Sequence, residues 1–233
     1  MDEQGTSSFS GQTALIADDD EFFRIALASI LTQRFGFGKV IETSTFDAAI
    51  DLLKPSDNVK LALFDLNMPG MNNWANLRSI RDFFPSVRVA VVSGSQDRQD
   101  ILMALNVGLH GFVHKGLGVA ELGRAIGLIL DGMVYVPAFL PDLAICPEEQ
   151  PLFETTETER NRQSHAVSLL TPRQSEVLEL LVIGKTNKGM ARDLNLSEGT
   201  IKFHLAAIFR VLGVSNRVEA ATSGAAILRS ATG

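Results

Sequence analysis

A single cysteine stands in the 233 residues, so no internal disulfide can form, and that scarcity accords with a reducing compartment. The residue, Cys146, falls in a Pro-containing stretch and is assigned no chemistry. No uninterrupted apolar run reaches the roughly 18 residues of a membrane span. The polar opening MDEQGTSSFSGQT lacks the character of a signal peptide. A soluble cytoplasmic protein with no membrane partner is expected. Internal repeats and long low-complexity tracts are missing too. Basic residues are in deficit, 21 Lys and Arg against 27 Asp and Glu, and a net charge of −6 spread evenly would argue against a polyanionic partner. It is not spread evenly. Residues 166–233 hold 8 Lys and Arg against 5 Asp and Glu, while the preceding 165 residues hold 13 against 22. Only the C-terminal part is suited to nucleic acid.

What is present is a repeated alternation. Strand-type runs near 13–17, 39–43, 60–64, 88–92 and 111–114 are interleaved with helical stretches near 21–34, 45–54, 72–83, 97–106 and 118–130. Five βα units predict a doubly wound α/β domain over residues 1–130. Residues 131–166 contain Pro137, Pro141, Pro147 and Pro151 and then the polar ETTETERNRQS, and read as an exposed, flexible linker. Residues 167–233 read as four helices. Thr171, Pro172 and Gln174 give a capping box with Pro in the first turn, and Gly184 closes that helix. A short helix from about Asn187 to Leu194 is followed by a turn at Asn195 and Leu196. Ser197 then caps a helix running to about Leu212, and Asn216 with Glu219 opens the last one. The helix, tight turn and second helix form the arrangement that places one helix in the DNA major groove.

Four polar positions follow the apolar runs: the acidic group Asp18, Asp19, Asp20 after LIA, Asp65 after LALF, Ser93 after VAVV and Lys115 after GFVH. All four would emerge at the carboxyl ends of strands in one parallel sheet, the edge where open α/β sheets keep their sites. Three carboxylates there repel one another unless a hard cation intervenes, and Mg²⁺ with its preference for oxygen ligands suits the set. Asp65 is the candidate nucleophile toward a phosphoryl group. Asp18 and Asp19 would hold the metal together with Asp65, and the Asn67 carbonyl would complete the shell. Lys115 and Ser93 would meet phosphate oxygens. Any one of these acids could be a helix cap or a solvated loop residue, but that reading weakens when all appear in order on successive strand ends. Asp20 and Glu21 are read as a loop acid and a first-turn residue, and His114 as a strand residue facing a helix.

These segments, LIADDDEFFR, LALFDLNMPGMN, VVSGS and GFVHKG, resemble the receiver domain of two-component response regulators over about residues 11–130. The resemblance implies phosphoryl transfer from a histidine kinase to Asp65, an acidic pair at Asp18 and Asp19, a switch hydroxyl at Ser93, a rotating aromatic at Phe112 and the lysine at Lys115. Asn73 stands where many relatives have Gly, Phe112 lacks a phenol oxygen, and Gly116 replaces the common Pro.

In the third C-terminal helix Ile201, Leu205, Ile208 and Leu212 form a core stripe. Lys202, Phe203, Ala206 and Arg210 lie opposite, on the expected groove face. Lys202 would meet a guanine edge or a phosphate, and Phe203 a thymine methyl. Thr171, Lys185, Thr186, Asn187, Lys188, Thr200 and Arg217 sit near helix starts, where backbone phosphates are met. By composition alone a non-binding helical bundle stays open. The segment from Ser168 to Ala221 resembles the LuxR-type DNA-binding domain of the NarL/FixJ class. Its recognition-helix signature is matched by Ser197, Glu198, Thr200, Ile201, Lys202 and His204, and its scaffold-helix start by Asn187 and Lys188. Gln174 replaces one first-helix acid, Gly189 a Glu, and Ala206 a base-reading polar residue.

The two resemblances imply a DNA-binding transcriptional regulator, not an enzyme, switched by phosphorylation of Asp65. Its implied partners are double-stranded operator DNA, a cognate histidine kinase and a second copy of the chain, with RNA polymerase left open. An aspartyl phosphatase is the enzymatic alternative, but such enzymes usually carry an acid two residues after the nucleophile, where Asn67 stands. An unphosphorylated interaction module is the third reading.

Overall fold

The apolar runs become five parallel strands: β1 (Thr13–Ala17), β2 (Lys39–Thr43), β3 (Val59–Phe64), β4 (Arg88–Ser93) and β5 (Gly111–His114). Their spatial order is β2-β1-β3-β4-β5. The computed structural model describes residues 9–53, 58–71, 74–138 and 170–231. Helices α1 (Glu21–Gln33), α2 (Phe46–Leu52), α3 (Trp74–Phe83), α4 (Arg98–Asn106) and α5 (Val119–Leu130) follow the strands in turn. The strand order reverses between β1 and β3, which opens a crevice at their carboxyl ends.

Both faces of the sheet are covered, so the strands read as continuous apolar runs. Ala14, Ile16, Leu61, Leu63, Ala90, Val92 and Val113 point to one side and bury Leu27, Ile30 and Leu31 of α1 with Leu122, Ala125, Ile126 and Ile129 of α5. The alternate positions Leu15, Ala62, Phe64, Val89, Val91 and Phe112 are buried on the other side. Helix starts are fixed locally. Asp20 Oδ1 accepts from the Phe22 and Phe23 N–H groups at 3.0 and 3.2 Å, so this acid is the N-cap of α1 rather than a free loop carboxylate. Thr45 and Asp97 cap α2 and α4 in the same way.

The chain divides into two compact units, residues 1–140 and 141–233. One part of the expected linker belongs to the first. Instead of leaving the domain after α5, the chain turns at Gly132 (φ 89°) and lays Tyr135 beside β5. The Tyr135 N–H donates to the His110 carbonyl and the Phe112 N–H to the Tyr135 carbonyl, both at 3.0 Å. The β5 edge would otherwise present unpaired backbone groups. The remainder of that linker, Cys146 and the Asn73 departure lie outside the described residues.

The second unit contains α6 (Pro172–Val182), α7 (Asn187–Leu194), α8 (Glu198–Leu212) and α9 (Arg217–Ala231). Thr171 and Gln174 close a reciprocal capping box on α6, Thr186 caps α7 and Ser197 caps α8. Asn216 Oδ1 accepts from the Val218 and Glu219 N–H groups. Asn195 takes the left-handed conformation (φ 53°) between α7 and α8. Gly189 stands in the first turn of α7, where its N–H donates to Thr186 Oγ1. Leu170, Val177, Leu178, Leu181, Met190, Ala191, Ile201, Leu205, Ile208 and Ala220 form the core. A Cβ on Gly224 would lie 2.6 Å from Leu178 Cδ1 and 3.0 Å from Val182 Cγ2, so any side chain there would have to displace side chains of α6. Among the described residues no helix is long and apolar enough to cross a membrane.

His110 carries a pH-dependent share of the first unit's stability. It is buried, its Nδ1 accepts from the Val89 N–H at 3.0 Å, and Arg81 Nη1 stands 3.2 Å from Nε2. Burial, reinforced by the Arg81 and Arg88 charges, lowers its pKa to about 4. The unfolded chain thus binds a proton that the folded chain refuses between pH 6.5 and 4. The stability is fully present above 6.5 and is lost as pH falls through that window. Calorimetric unfolding at pH 7 and pH 5 should show the wild type losing up to about 2 kcal/mol relative to His110→Asn.

Candidate metal centre and nucleic-acid interface

The register of the sheet assembles the pocket. Ala17 is level with Phe64, so Asp18 and Asp65 are the next residues on neighbouring strands. Ser93 is level with His114, which places Lys115 one step beyond. The ladder continues past the strand ends: the Asp18 N–H donates to the Thr43 carbonyl at 3.0 Å, the Asp65 N–H to the Ala17 carbonyl at 2.8 Å and the Lys115 N–H to the Ser93 carbonyl at 2.8 Å. Two carboxylates, a hydroxyl and an ammonium are thus delivered to one rim by backbone hydrogen bonds.

Asp18 and Asp65 are buried, 1 % and 3 % exposed, and Asp19 reaches the rim from the exposed side. Carboxylate oxygens of Asp18, Asp19 and Asp65 lie within 4.8 Å of one another. Lys115 Nζ stands 2.8 Å from Asp18 Oδ2 and 3.2 Å from Asp65 Oδ2. It also lies 5.0 Å over the Phe23 ring, a favourable place for a cation. Burial raises the Asp65 pKa and the Asp18 charge adds to that, while Lys115 and the Asn67 backbone N–H oppose it. Burial alone would lower the Lys115 pKa, but the hydrogen bond to Asp18 and the charges of Asp65 and Asp18 outweigh it, and the ammonium is held above its usual range. Asp65 Oδ1 is buried yet receives no hydrogen bond, and Asp18 Oδ2 meets the Lys115 ammonium as its ion-pair partner. A buried oxygen such as Asp65 Oδ1 is costly unless something else coordinates it. An all-oxygen set of three carboxylates with such an atom fits a hard divalent cation.

Ser93 is fully buried, and its Oγ accepts from the Ser95 N–H at 3.1 Å. Phe112 is buried on the sheet face opposite Val113. Asn67 is exposed. Sequence reasoning missed Arg24, whose Nη1 donates to the Asp18 carbonyl at 2.6 Å while Nε stands 3.6 Å from Glu42. It braces the acidic loop against α1 and β2. Its signal was its place in the first turns of α1, six residues after Asp18. His114, expected to face a helix, instead reaches Gly94 and Gly116 across two loops.

In the second unit Lys202 and Arg210 are exposed on α8 and Ala206 is half-buried. Phe203 and His204 are not presented for base contact. They are 2 % and 1 % exposed, with rings edge to face at 5.9 Å, as expected for apolar ring area that gains by leaving water. Thr200 is buried as well, its N–H donating to Ser197 Oγ. Lys188 and Thr186 are exposed, and Lys185 pairs with Asp193 at 2.9 Å. Arg217, half-buried at the start of α9, donates to Asn187 Oδ1 at 3.1 Å and to the Lys185 carbonyl. It thereby fixes the turn that leads into α7. A shallow cavity of about 360 Å³ is bounded by Asn187, Lys202, Leu205, Ala206, Phe209 and Arg217.

Comparison with known proteins follows the same division. Residues 14–127 match the family of response regulator receiver domains, and residues 168–223 match the bacterial regulatory proteins of the luxR family. The chain is 37% identical to the glycerol metabolism activator of Pseudomonas putida, over 90% of this chain and 93% of that protein. It is 31% identical to the nitrate/nitrite response regulator protein NarL of Escherichia coli K12, again over 90% and 93%. Among solved structures, the RcsB response regulator of Salmonella typhimurium shares the fold with a TM-score of 0.51 and 23% identity, covering 91% of this chain and 96% of that one.

Lys115 and a divalent cation would neutralise the same two acids, which fixes the direction of two substitutions. Lys115→Gln should tighten Mg²⁺ binding several-fold, because the competing ammonium is gone. Asp18→Asn should weaken it at least about tenfold. Calorimetric titration at pH 7 measures both.

Proposed function

Because the chain belongs to the response regulators that join a receiver domain to a LuxR-family DNA-binding domain, we propose that Asp65 accepts a phosphoryl group from the phosphohistidine of a cognate histidine kinase. We further propose that this event controls binding of the C-terminal unit to operator DNA. The observation that carries the reading is the convergence of Asp18, Asp19 and Asp65 on one sheet edge, with Lys115 ion-paired to Asp18 and Asp65. We assign the receiver to the residues up to about 138 and the DNA-binding domain to residues 167–233. Cytoplasmic residence follows from the two partners.

Each side chain has a role in this scheme. One carboxylate oxygen of Asp65 attacks phosphorus, and the new O–P bond forms as the P–N bond of phosphohistidine breaks. The electron pair leaves on the imidazole nitrogen, which takes a proton from solvent. Asp18 and Asp19, with Asp65 and the Asn67 carbonyl, would hold Mg²⁺, which when bound neutralises charge on the transferring phosphoryl oxygens. Lys115 transfers its ammonium from Asp65 to a phosphate oxygen, and Ser93 turns its hydroxyl to another. Both residues thereby gain a partner at the far strands of the sheet, and Phe112 on β5 lies where that movement is felt. Asn67, standing two residues after the nucleophile, supplies no second acid for rapid turnover, so the phosphorylated state persists as a signal.

On the DNA side, Lys202 and Arg210 on α8, with Ala206 between them, would enter the major groove. Lys185, Thr186 and Lys188 before and within α7 would meet phosphates, with Asn187 held by Arg217. Thr200, Phe203 and His204 would support the helix from behind. Val218, 75 % exposed at the start of α9, suits that helix to self-association. A dimer then presents two recognition helices to half-sites about one helical turn apart or a multiple of it.

Two substitutions separate the two halves of the scheme. Asp65→Asn should abolish phosphate incorporation from acetyl phosphate with Mg²⁺, and undiminished labelling would exclude Asp65 as acceptor. Lys202→Ala should weaken binding to an operator selected from random duplex DNA by more than about 1 kcal/mol, whereas an unchanged gel shift would remove Lys202 from the interface.

A further inference from the structure

The residues on either side of Lys115 form an arrangement that the acceptor chemistry does not use. His114 ends β5, and its imidazole bridges two loops. Nε2 lies 3.2 Å from the Gly94 carbonyl, and Nδ1 accepts from the Gly116 N–H at 3.1 Å. A single neutral tautomer satisfies both contacts, with Nε2–H as donor and the Nδ1 lone pair as acceptor. Gly94 directly follows Ser93, and Gly116 directly follows Lys115. The ring therefore ties the residue after the hydroxyl to the residue after the ammonium. Two further bonds run beside it, from the Lys115 N–H to the Ser93 carbonyl at 2.8 Å and from the Ser95 N–H to Ser93 Oγ at 3.1 Å.

Gly116 is part of the same device. A Cβ at this position would stand 2.7 Å from Cε1 and 2.8 Å from Nδ1 of His114, closer than real Cβ atoms come, so any side chain there displaces the imidazole. A proline would in addition remove the N–H that Nδ1 accepts. The placement of the His114 ring thus depends on glycine at 116, and the glycine that departs from the receiver pattern has a local physical reason.

We propose that His114 and Gly116 form a clasp that fixes the Ser93 and Lys115 loops relative to each other, making His114 a positioning residue for phosphoryl capture at Asp65. The proposal rests on the acceptor reading given above. Its physical basis is preorganisation: donors held where charge will arrive need not reorganise when it does. The clasp touches none of Asp18, Asp19 or Asp65 itself; it meets them only through Lys115, whose neighbouring backbone it holds while the ammonium keeps its pairs with Asp18 and Asp65.

The test uses the full chain, with three measurements on wild type, His114→Ala, Gly116→Ala and the double variant: Mg²⁺ affinity alone, affinity for beryllofluoride in the presence of Mg²⁺, and the rate of labelling by acetyl phosphate. Each single variant should lose roughly three- to tenfold in beryllofluoride affinity and labelling rate, the range of one or two hydrogen bonds, with Mg²⁺ affinity changed by less than about twofold. The double variant should be no worse than either single one, because both break the same contact. Unchanged beryllofluoride affinity in His114→Ala overturns the clasp, as do additive losses in the double variant. A Mg²⁺ affinity that falls in step with the rest overturns it too, because it marks a general structural defect. A wild type that takes up neither probe overturns the acceptor reading itself, a result distinct from failure of the clasp alone.

Discussion

Three carboxylates sharing one sheet edge repel one another, and the Lys115 ammonium, 2.8 Å from Asp18 and 3.2 Å from Asp65, offsets part of that repulsion. The remaining structure of the first unit follows from holding this group together. Parallel strands deliver the residues, because only a parallel ladder brings successive strand ends to the same side. Two buried faces hold the strands rigid, and Arg24 anchors the loop that carries Asp18 and Asp19. The balance is incomplete by design. Lys115 supplies one positive charge against three acids, and Asp65 remains harder to ionise than a free carboxylate chiefly because it is buried. A cation bound there would relieve that repulsion, and the proposed phosphoryl group on Asp65 would give the ammonium a stronger partner than it has.

The second unit solves a different problem with local means. Its helices are short, and a helix of 8 to 15 residues is marginal unless its ends are satisfied. Thr171, Thr186, Ser197 and Asn216 each accept an orphan N–H at a helix start. Arg217 then ties the start of α9 to the turn before α7. Lys202 and Arg210 are left outward on α8, within a stretch, residues 166–233, whose charge balance is positive although the chain as a whole is acidic.

Much of this was legible in the sequence because it rests on short-range rules. Strand runs ending in Asp18, Asp65, Ser93 and Lys115 are continuous apolar runs with a polar stop, and capping residues act within three positions. What was not legible depends on distance across the fold. Arg24 reads as an ordinary exposed helix residue until β2 brings Glu42 beside it. Tyr135 reads as linker until β5 needs an edge partner. Phe203 lies opposite the core stripe by helical periodicity alone, yet is buried, and no count of residues per turn reveals that. Gly116 reads as a departure from pattern until the His114 ring is seen in the space a side chain would fill.

If Asp18, Asp19 and Asp65 serve one cation, crystals of the chain soaked with Mn²⁺, an oxygen-seeking anomalous scatterer that takes Mg²⁺-type sites, should show an anomalous peak about 2 Å from their carboxylate oxygens. Saturating Mn²⁺ with no density among those three side chains would refute the shared site.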